Sequence, residues 1–517
     1  MTRPLHLRVP APSAPPLTGH LPFADAPGVP DPIEVTSRWL TRGGCPWFPV
    51  SGEFHYSRHP AAAWSQELLK MKAAGVTVVA SYVIWIHHQE TEGRVRFDGD
   101  RDLRRFAEPC ARHGLDFVPR IGPWSHAEVR NGGLPDWLLA RDCAPRTDDP
   151  AYLEPVRTWF AAVAEQLRGL DRAHGGPIVA IQIENELYDR PGHLLTLKRM
   201  AQEAGLSAPL WSSTAWGGVR LPPDELLPLY GGYTEAFWTL AATDGIAPEL
   251  AFDGGTLASV ATPSAEVSRV GGRVLVSGLR PGTDALVEVE TADGGRVGLL
   301  VLDAATARTL YRGVAWGAER LVLCADGVVF DRDEVRVHGR GERSSFAVLP
   351  DPGGELAGAV REGVDGVFTR WSVEAGDAVE VPEVSVALLR AAGAAPAPVT
   401  GVLGRASAPA DKYFETVAAV YRVEVPEDLP AGALLRVWWT GDVARAYVGD
   451  VLVADQFFSG RVWDIAVGRL PRGPLRLCVL PLAADAAVSL PEGERERAGT
   501  AAVLGAEWVV VRGWAVR

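Results

Sequence analysis

Two glutamates separated by one residue, Glu184 and Glu186, close an apolar run that begins at Ile178. On an extended strand their side chains leave on the same face, while Asn185 points the other way or is redirected where the strand ends. Two like charges buried together repel, which favours holding one of them protonated near neutral pH. A carboxylic acid in that state can give its proton to the leaving oxygen of a glycosidic bond. The bland alternative is a strand end whose charges face water. The run Ile178-Val179-Ala180-Ile181-Gln182-Ile183 weighs against it, because it places the pair at the C-terminal end of an interior strand. Barrels of alternating strands and helices carry their chemistry at that end.

Other reactive residue types are weaker signals. His87 and His88 are adjacent, and His55 and His126 stand near other strand ends. Neighbouring histidines on a strand face opposite sides and rarely hold one ion. They are expected to be rim or packing residues, with a metal-dependent hydrolase as the least favoured reading; no metal and no cofactor are expected. No GxGxxG opens a helix, so dinucleotide binding has no support. Cys45, Cys110, Cys143, Cys324 and Cys478 are odd in number and far apart, suggesting neither a zinc site nor a disulfide framework.

The elements that must position these residues are legible as alternation. Apolar runs at Phe48-Val50 with Glu53-Tyr56, Val76-Ile86, Phe117-Ile121, Ile178-Ile183, Leu210-Ser213 and Leu226-Tyr230 read as six strands. Between them, Trp64, Leu68 and Met71 share a helical face, as do Leu103, Phe106 and Cys110, and Trp159, Val163 and Leu167; Leu195 to Ala204 reads as a fourth helix. Strands buried on both faces and alternating with amphipathic helices predict a parallel sheet, and six such units in sequence favour a (β/α) barrel. After Trp238 the pattern changes to short alternating strands separated by turns such as Asp293-Gly294-Gly295, a β-sandwich reading. Ala391 to Pro398 reads as a linker, and the β pattern resumes beyond it. The expected domains are an irregular, Pro-rich arm over 1–35, the barrel-type domain over 36–240, the sandwich over 241–392, and a last β domain over 393–517.

Composition limits the function classes. A net charge of -13 over 517 residues, with no dense Lys/Arg run, argues against nucleic-acid binding. No run of about 18 apolar residues offers a membrane span, and the Pro-rich N-terminus does not read as a signal peptide. The expected compartment is the cytoplasm. The oligomeric state has no sequence signal.

Five stretches in chain order resemble glycoside hydrolase family 35 β-galactosidases of the bacterial type. Gly175 to Tyr188, with Ile183-Glu184-Asn185-Glu186, closely resembles the segment bearing the acid/base of that family. Ser51 to Arg58 is similar to the first barrel strand and its exit, Trp64 to Gly75 to the first helix, and Ser81 to Trp85 to the second strand. Arg120 to Glu128, with Gly132-Gly133-Leu134-Pro135-Asp136-Trp137, is similar to the third strand and its exit. The resemblance covers roughly residues 45 to 238. It implies a retaining hydrolase of terminal β-galactosyl residues, with Glu186 as general acid/base and Asn185 near the 2-hydroxyl of the sugar. It also implies that Tyr82, Ala127 (through its backbone) and Glu128 line the sugar pocket. After Trp85 the sequence Ile86-His87-His88-Gln89-Glu90 departs from the family pattern. Gly441 to Asp450, with Val453 to Phe457, looks like the galactose-binding-like jelly roll that ends many such enzymes.

The fold class expected is therefore multidomain: an α/β, (β/α)-barrel-type catalytic domain that is incomplete, then all-β sandwich and jelly-roll domains. Incompleteness follows from length, since a closed barrel takes about 250 residues and this segment stops near 200. A retaining site needs a second carboxylate about 5 Å from the first. The family carries it on the seventh strand, and only six are legible here. Glu235, in Thr234-Glu235-Ala236, is a weak candidate that follows strand six. The rival class is a non-catalytic carbohydrate-binding paralogue that keeps Tyr82, Glu128 and Asn185 but lacks the nucleophile.

Overall fold

The computed structural model describes residues 5–8, 15–21, 23–213, 225–229, 250–253, 257–291, 294–331, 334–374, 381–399 and 408–517. Glu235, Trp216 and Trp238 lie outside them. By internal packing the chain divides into two compact units, residues 1–336 with 345–371 and 517, and residues 337–344 with 372–516.

The first unit contains six strands, β1 (Ser51–Glu53), β2 (Val78–Tyr82), β3 (Asp116–Arg120), β4 (Ile181–Gln182), β5 (Leu210–Ser213) and β6 (Leu227–Leu229), of which β1 lies between the two pieces read for it and the rest match the reading. They form one parallel sheet in which each strand pairs with the next in sequence. Among the described residues β1 and β6 do not pair with each other. The register sets Tyr82 beside Arg120, Arg120 beside Gln182, and Gln182 beside Trp211, so the C-terminal ends of β2, β3 and β4 meet along one line that continues to Trp211 within β5.

Helices fill the crossovers. α1 (Trp64–Ala73) buries Trp64, Leu68, Leu69 and Ala73. One difference from the sequence reading falls after β2, where the apolar run to Ile86 does not stay extended. Its end forms a helical turn, α2 (Trp85–His88), which buries Trp85 and His88. α3 (Leu103–Arg112) starts where the Asp102 carboxylate accepts from the Arg105 N–H. α4 (Pro150–Leu167) starts with Asp149 as cap and proline in the first turn, and α5 (Pro191–Glu203) also begins on proline. Their apolar stripes pack with Val79, Phe117 and Ile181 in one core, containing Trp64, Trp85, Phe106, Trp159 and Phe160.

Strand side chains alternate, so Val78 and Ala80 belong to the opposite face from Val79. That face packs, with Val118, Ala180 and Leu227, against Phe23 and Ile33, and Phe23 stacks on Trp211 with ring centroids 5.9 Å apart. The segment expected as an irregular arm is thus partly ordered into the core. Ile33–Val35, Leu40–Arg42 and Cys45–Trp47 make a three-stranded sheet. Asp25 fixes it by a 2.8 Å ion pair to Arg172, and Arg42 by one of 2.7 Å to Asp116.

Further along the first unit, the hairpin strands Glu266–Val270 and Arg273–Ser277 join Leu250–Asp253 in one sheet. The fourth member is Leu5–Arg8, which pairs in parallel with Leu250–Asp253. A second sheet holds Leu257–Ala261, Leu286–Thr291 and Arg296–Leu300. Val274, Val276, Val287 and Val289 cluster as the core of this region. Short strands of the kind expected after Trp238 are present from Leu250 onward among the described residues.

The second unit is built on β7 (Val386–Arg390), β8 (Ala419–Val423), β9 (Ala433–Thr440), β10 (Val443–Val448), β11 (Val451–Phe457), β12 (Trp463–Ile465), β13 (Leu475–Val479) and β14 (Ala502–Val510). They form two antiparallel sheets, ordered β7-β8-β13-β10-β11 and β12-β9-β14. The alternating apolar residues of both sheets make one core, with Leu435, Val437, Trp439, Ala446, Trp463 and Leu477. No helix among the described residues is long and apolar enough to cross a membrane.

Candidate active site

The strand carrying the two glutamates stops earlier than alternation predicts. β4 ends at Gln182, and both Glu184 (φ 54°) and Glu186 (φ 53°) adopt the left-handed region. Non-glycine residues rarely hold that conformation, and they persist in it only where the surroundings fix them. Here the backbone is stitched on both sides. Glu184 N–H donates to the Gly122 carbonyl at 2.7 Å, Ile183 N–H to Trp211 at 3.0 Å, and Glu186 N–H to Ser213 at 2.9 Å.

The two carboxylates therefore do not share a face, which corrects the reading from alternation. Glu184 is buried and accepts from Arg146 Nε at 3.0 Å and Nη2 at 2.9 Å. Arg146, itself at φ 59°, also donates to the Asn185 carbonyl at 2.9 Å and lies 4.6 Å over the Trp124 ring. Glu186 keeps a carboxylate 36% exposed, with Oε2 3.8 Å from His126 Nδ1. One glutamate is a structural anion; the other is open to a ligand.

Arg120, the last residue of β3, gathers the remaining groups. Its guanidinium pairs with Glu53, donates to Asn185 Oδ1 at 2.6 Å, and stands 3.7 Å over the Tyr82 ring. Burial brings its pKa down to about 10, against the pull of Glu186 and Glu128, so it remains a cation at neutral pH. Glu53 also lies 3.5 Å from His55, whose imidazole burial, helped by Arg58, pushes down to about 4. Asn185 is buried, and its Oδ1 additionally accepts from Gln182 Nε2 at 3.1 Å.

The exit of β3 supplies the rim. His126, Ala127 and Glu128 have φ of 52°, 49° and 46°, three left-handed residues in succession. Arg58 holds them, donating from Nη2 to the Ala127 carbonyl at 2.7 Å and to that of Glu128 at 3.4 Å. The Ala127 carbonyl is thus already engaged within the protein. Glu128 is exposed, with its charge directed at Arg58, Arg120 and His126. Burial lowers the pKa of His126, and Arg146 adds to this, while Glu186, Glu184 and Glu128 oppose it.

Tyr82, Asn185 and Glu186 are accordingly brought together around Arg120, with Ala127 and Glu128 on the adjoining loop. Sequence reasoning did not single out Arg120, Arg58 or Arg146. Arg120 could have been found, as a charge closing the apolar stretch Phe117-Val118-Pro119. Arg146 lies in an irregular segment with no local signal. His87 and His88 fall away from this group, on a helical turn rather than a strand. His87 Nδ1 is 2.9 Å from Ser57 Oγ, while buried His88 bonds Tyr56 Oη at 2.8 Å and the Arg96 carbonyl at 2.9 Å. Among the described residues no cluster of three or more His, Cys, Asp or Glu could hold a metal ion. The arrangement offers an accessible carboxyl group beside fixed donors, which suits a neutral, hydroxyl-rich ligand.

Residues 40–215 match the family model described as Glycosyl hydrolases family 35. The Beta-galactosidase of Bos taurus is 40% identical over 155 residues, covering 30% of this chain and 24% of that protein. The Beta-galactosidase-1-like protein of Mus musculus is 41% identical over 144 residues, covering 28% and 22%. The chain thus spans about a quarter of the length of the curated relatives it matches. Among solved structures, a beta-galactosidase from the psychrophilic Marinomonas ef1 gives a TM-score of 0.28 at 12% identity, over 36% of this chain and 41% of that one.

Proposed function

We propose, from the match of residues 40–215 to glycosyl hydrolases family 35, that this protein is a retaining glycosidase acting on terminal β-galactosyl residues. Glu186 is its general acid/base. The observation that carries this reading is the separation of the paired glutamates: Glu184 is consumed by Arg146, and Glu186 stays open at the end of β4. In a site completed by a second carboxylate, the Glu186 carboxyl first gives its proton to the glycosidic oxygen while that carboxylate attacks the anomeric carbon. In the following step, Glu186 takes a proton from the water that releases the sugar. Asn185 holds the 2-hydroxyl, Tyr82 backs the pocket wall beneath Arg120, and Glu128 accepts from sugar hydroxyls.

The second carboxylate is proposed to belong to a strand absent from this chain, with Glu235 the weaker candidate. This is supported by the family match stopping at residue 215 and by the antiparallel pairing of Leu250–Asp253 with Arg273–Ser277. The jelly-roll reading of residues 393–517 rests on the two antiparallel sheets there and assigns them an accessory role.

The test is hydrolysis of nitrophenyl β-galactoside and of a disaccharide by the full chain and by Glu186→Gln. The variant should lose roughly 100-fold or more on the disaccharide, whose leaving group needs the proton, and less on the nitrophenyl substrate. Equal activity of the two proteins removes Glu186 from the role. Galactose binding in a calorimeter without turnover would instead indicate a binding protein.

A further inference from the structure

Asn185 has an amide whose orientation can be assigned from its partners. Its Oδ1 faces two groups that can only donate, Arg120 Nη2 at 2.6 Å and Gln182 Nε2 at 3.1 Å. Its Nδ2 therefore donates to His126 Nδ1 at 2.9 Å, and His126 must present a bare Nδ1 with its proton on Nε2. The same Nδ1 lies 3.8 Å from Glu186 Oε2, beyond hydrogen-bond range. His126 is held at φ 52° with its ring edge-on to Trp124, centroids 5.2 Å apart.

We propose that His126 is a positioning residue: neutral, it fixes Asn185 for the sugar, and protonated, it abandons Asn185 for Glu186 and disassembles the site. A proton on Nδ1 would set two donors against each other across 2.9 Å, so the ring must turn or retreat. The nearest anion it meets is Glu186, whose proton transfer an adjacent imidazolium would oppose by stabilising the carboxylate. The groups facing the ring are Glu186 and Glu184 from the exit of β4, Glu128 from its own loop, and Arg146. Burial and Arg146 keep it neutral at pH 7, so the switch operates on the acid side. This inference rests on the role proposed for Asn185 and Glu186, but the state of the imidazole can be read without catalysis.

Two variants separate the acceptor from the titration. Asparagine places Oδ1 where histidine places Nδ1, tolerates the left-handed backbone, and does not ionise. At pH 7.5 His126→Asn should retain activity within about threefold, and its acid limb should lose the imidazole ionisation. His126→Ala should fall by about tenfold or more in kcat/KM on the galactoside, with a smaller loss on the 2-deoxy substrate. Long-range 1H–15N NMR of the histidine-labelled full chain, assigned through His126→Asn, should show the Nε2–H tautomer at pH 7.5. It should also show a shift of Nδ1 in Asn185→Ala. An Nδ1–H tautomer, wild-type kinetics in His126→Ala, or equal damage in both His126 variants would overturn the proposal. If the chain hydrolyses no galactoside, the proposed function fails and the tautomer still decides this inference.

Discussion

Glu184 shows how far one side chain's role depends on a partner distant in sequence. Alternation gave it the same face as Glu186, yet its carboxylate is fully enclosed and bound at two points by Arg146. Removing one member of such a pair strands a buried charge, which is far costlier than removing both. Arg146→Ala should therefore lower stability by about 3–5 kcal/mol in denaturant unfolding, and the double variant Glu184→Gln/Arg146→Met should recover a large part of it. Recovery distinguishes an unpaired anion from a packing defect. The residue types at the site were legible because glutamate and asparagine are rare at the end of an apolar strand. The left-handed turns at 184 and 186 were not, since nothing in Ile-Glu-Asn-Glu forbids the extended form and tertiary hydrogen bonds to Gly122 and Ser213 select the other.

At the scale of elements, strands were easier to read than their ends. Five of the six parallel strands fall within a residue of the apolar runs, because burial demands them. The partly exposed β1 (Ser51–Glu53) instead falls between the two pieces read for it and shares only Glu53. Val76-Ile86 was too long, since Trp85 and His88 are recruited into the helix-side core and pull the chain into α2. The β3 exit loop was legible through the stretch Arg120 to Glu128 with Gly132-Gly133, but the left-handed backbone of His126, Ala127 and Glu128 was not. Gly132 sits at φ 60°, and a Cβ there would come 2.4 Å from Trp124 Cη2. Trp124 in turn supports Arg146 and borders His126. Gly132→Ala should displace the indole and cost about 2 kcal/mol, seen as a lowered Tm with altered tryptophan fluorescence. An unchanged spectrum would mean that the loop, and not Trp124, gives way.

For the whole molecule, buried imidazoles make stability depend on pH. Burial holds His88 down to about 3 and His87 to about 4, and His55 also lies near 4. All three values are below the unfolded value of about 6.5. Between those limits the unfolded chain takes up protons that the folded chain refuses, so stability is complete above about pH 6.5 and declines as pH falls toward 4. His88 alone should cost on the order of 2 kcal/mol by pH 5. The urea midpoint at pH 5 should lie below that at pH 7.5, and His88→Gln should narrow the gap. The division into two units was less legible than the change from parallel to antiparallel pattern, because packing unites residues 345–371 with the earlier chain across the intervening 337–344.

The pairing of Leu5–Arg8 with Leu250–Asp253 has a consequence for the order of assembly. Each strand of the parallel sheet finds its neighbour in the next stretch of chain, so on a ribosome that sheet can grow as it emerges. The first strand cannot. Its partner is synthesised some 240 residues later, and until then its backbone groups wait in water, with a loop-closure entropy that grows only slowly with that distance. Leu5–Arg8 is thus seated late, after the sheet that carries Glu186 already exists.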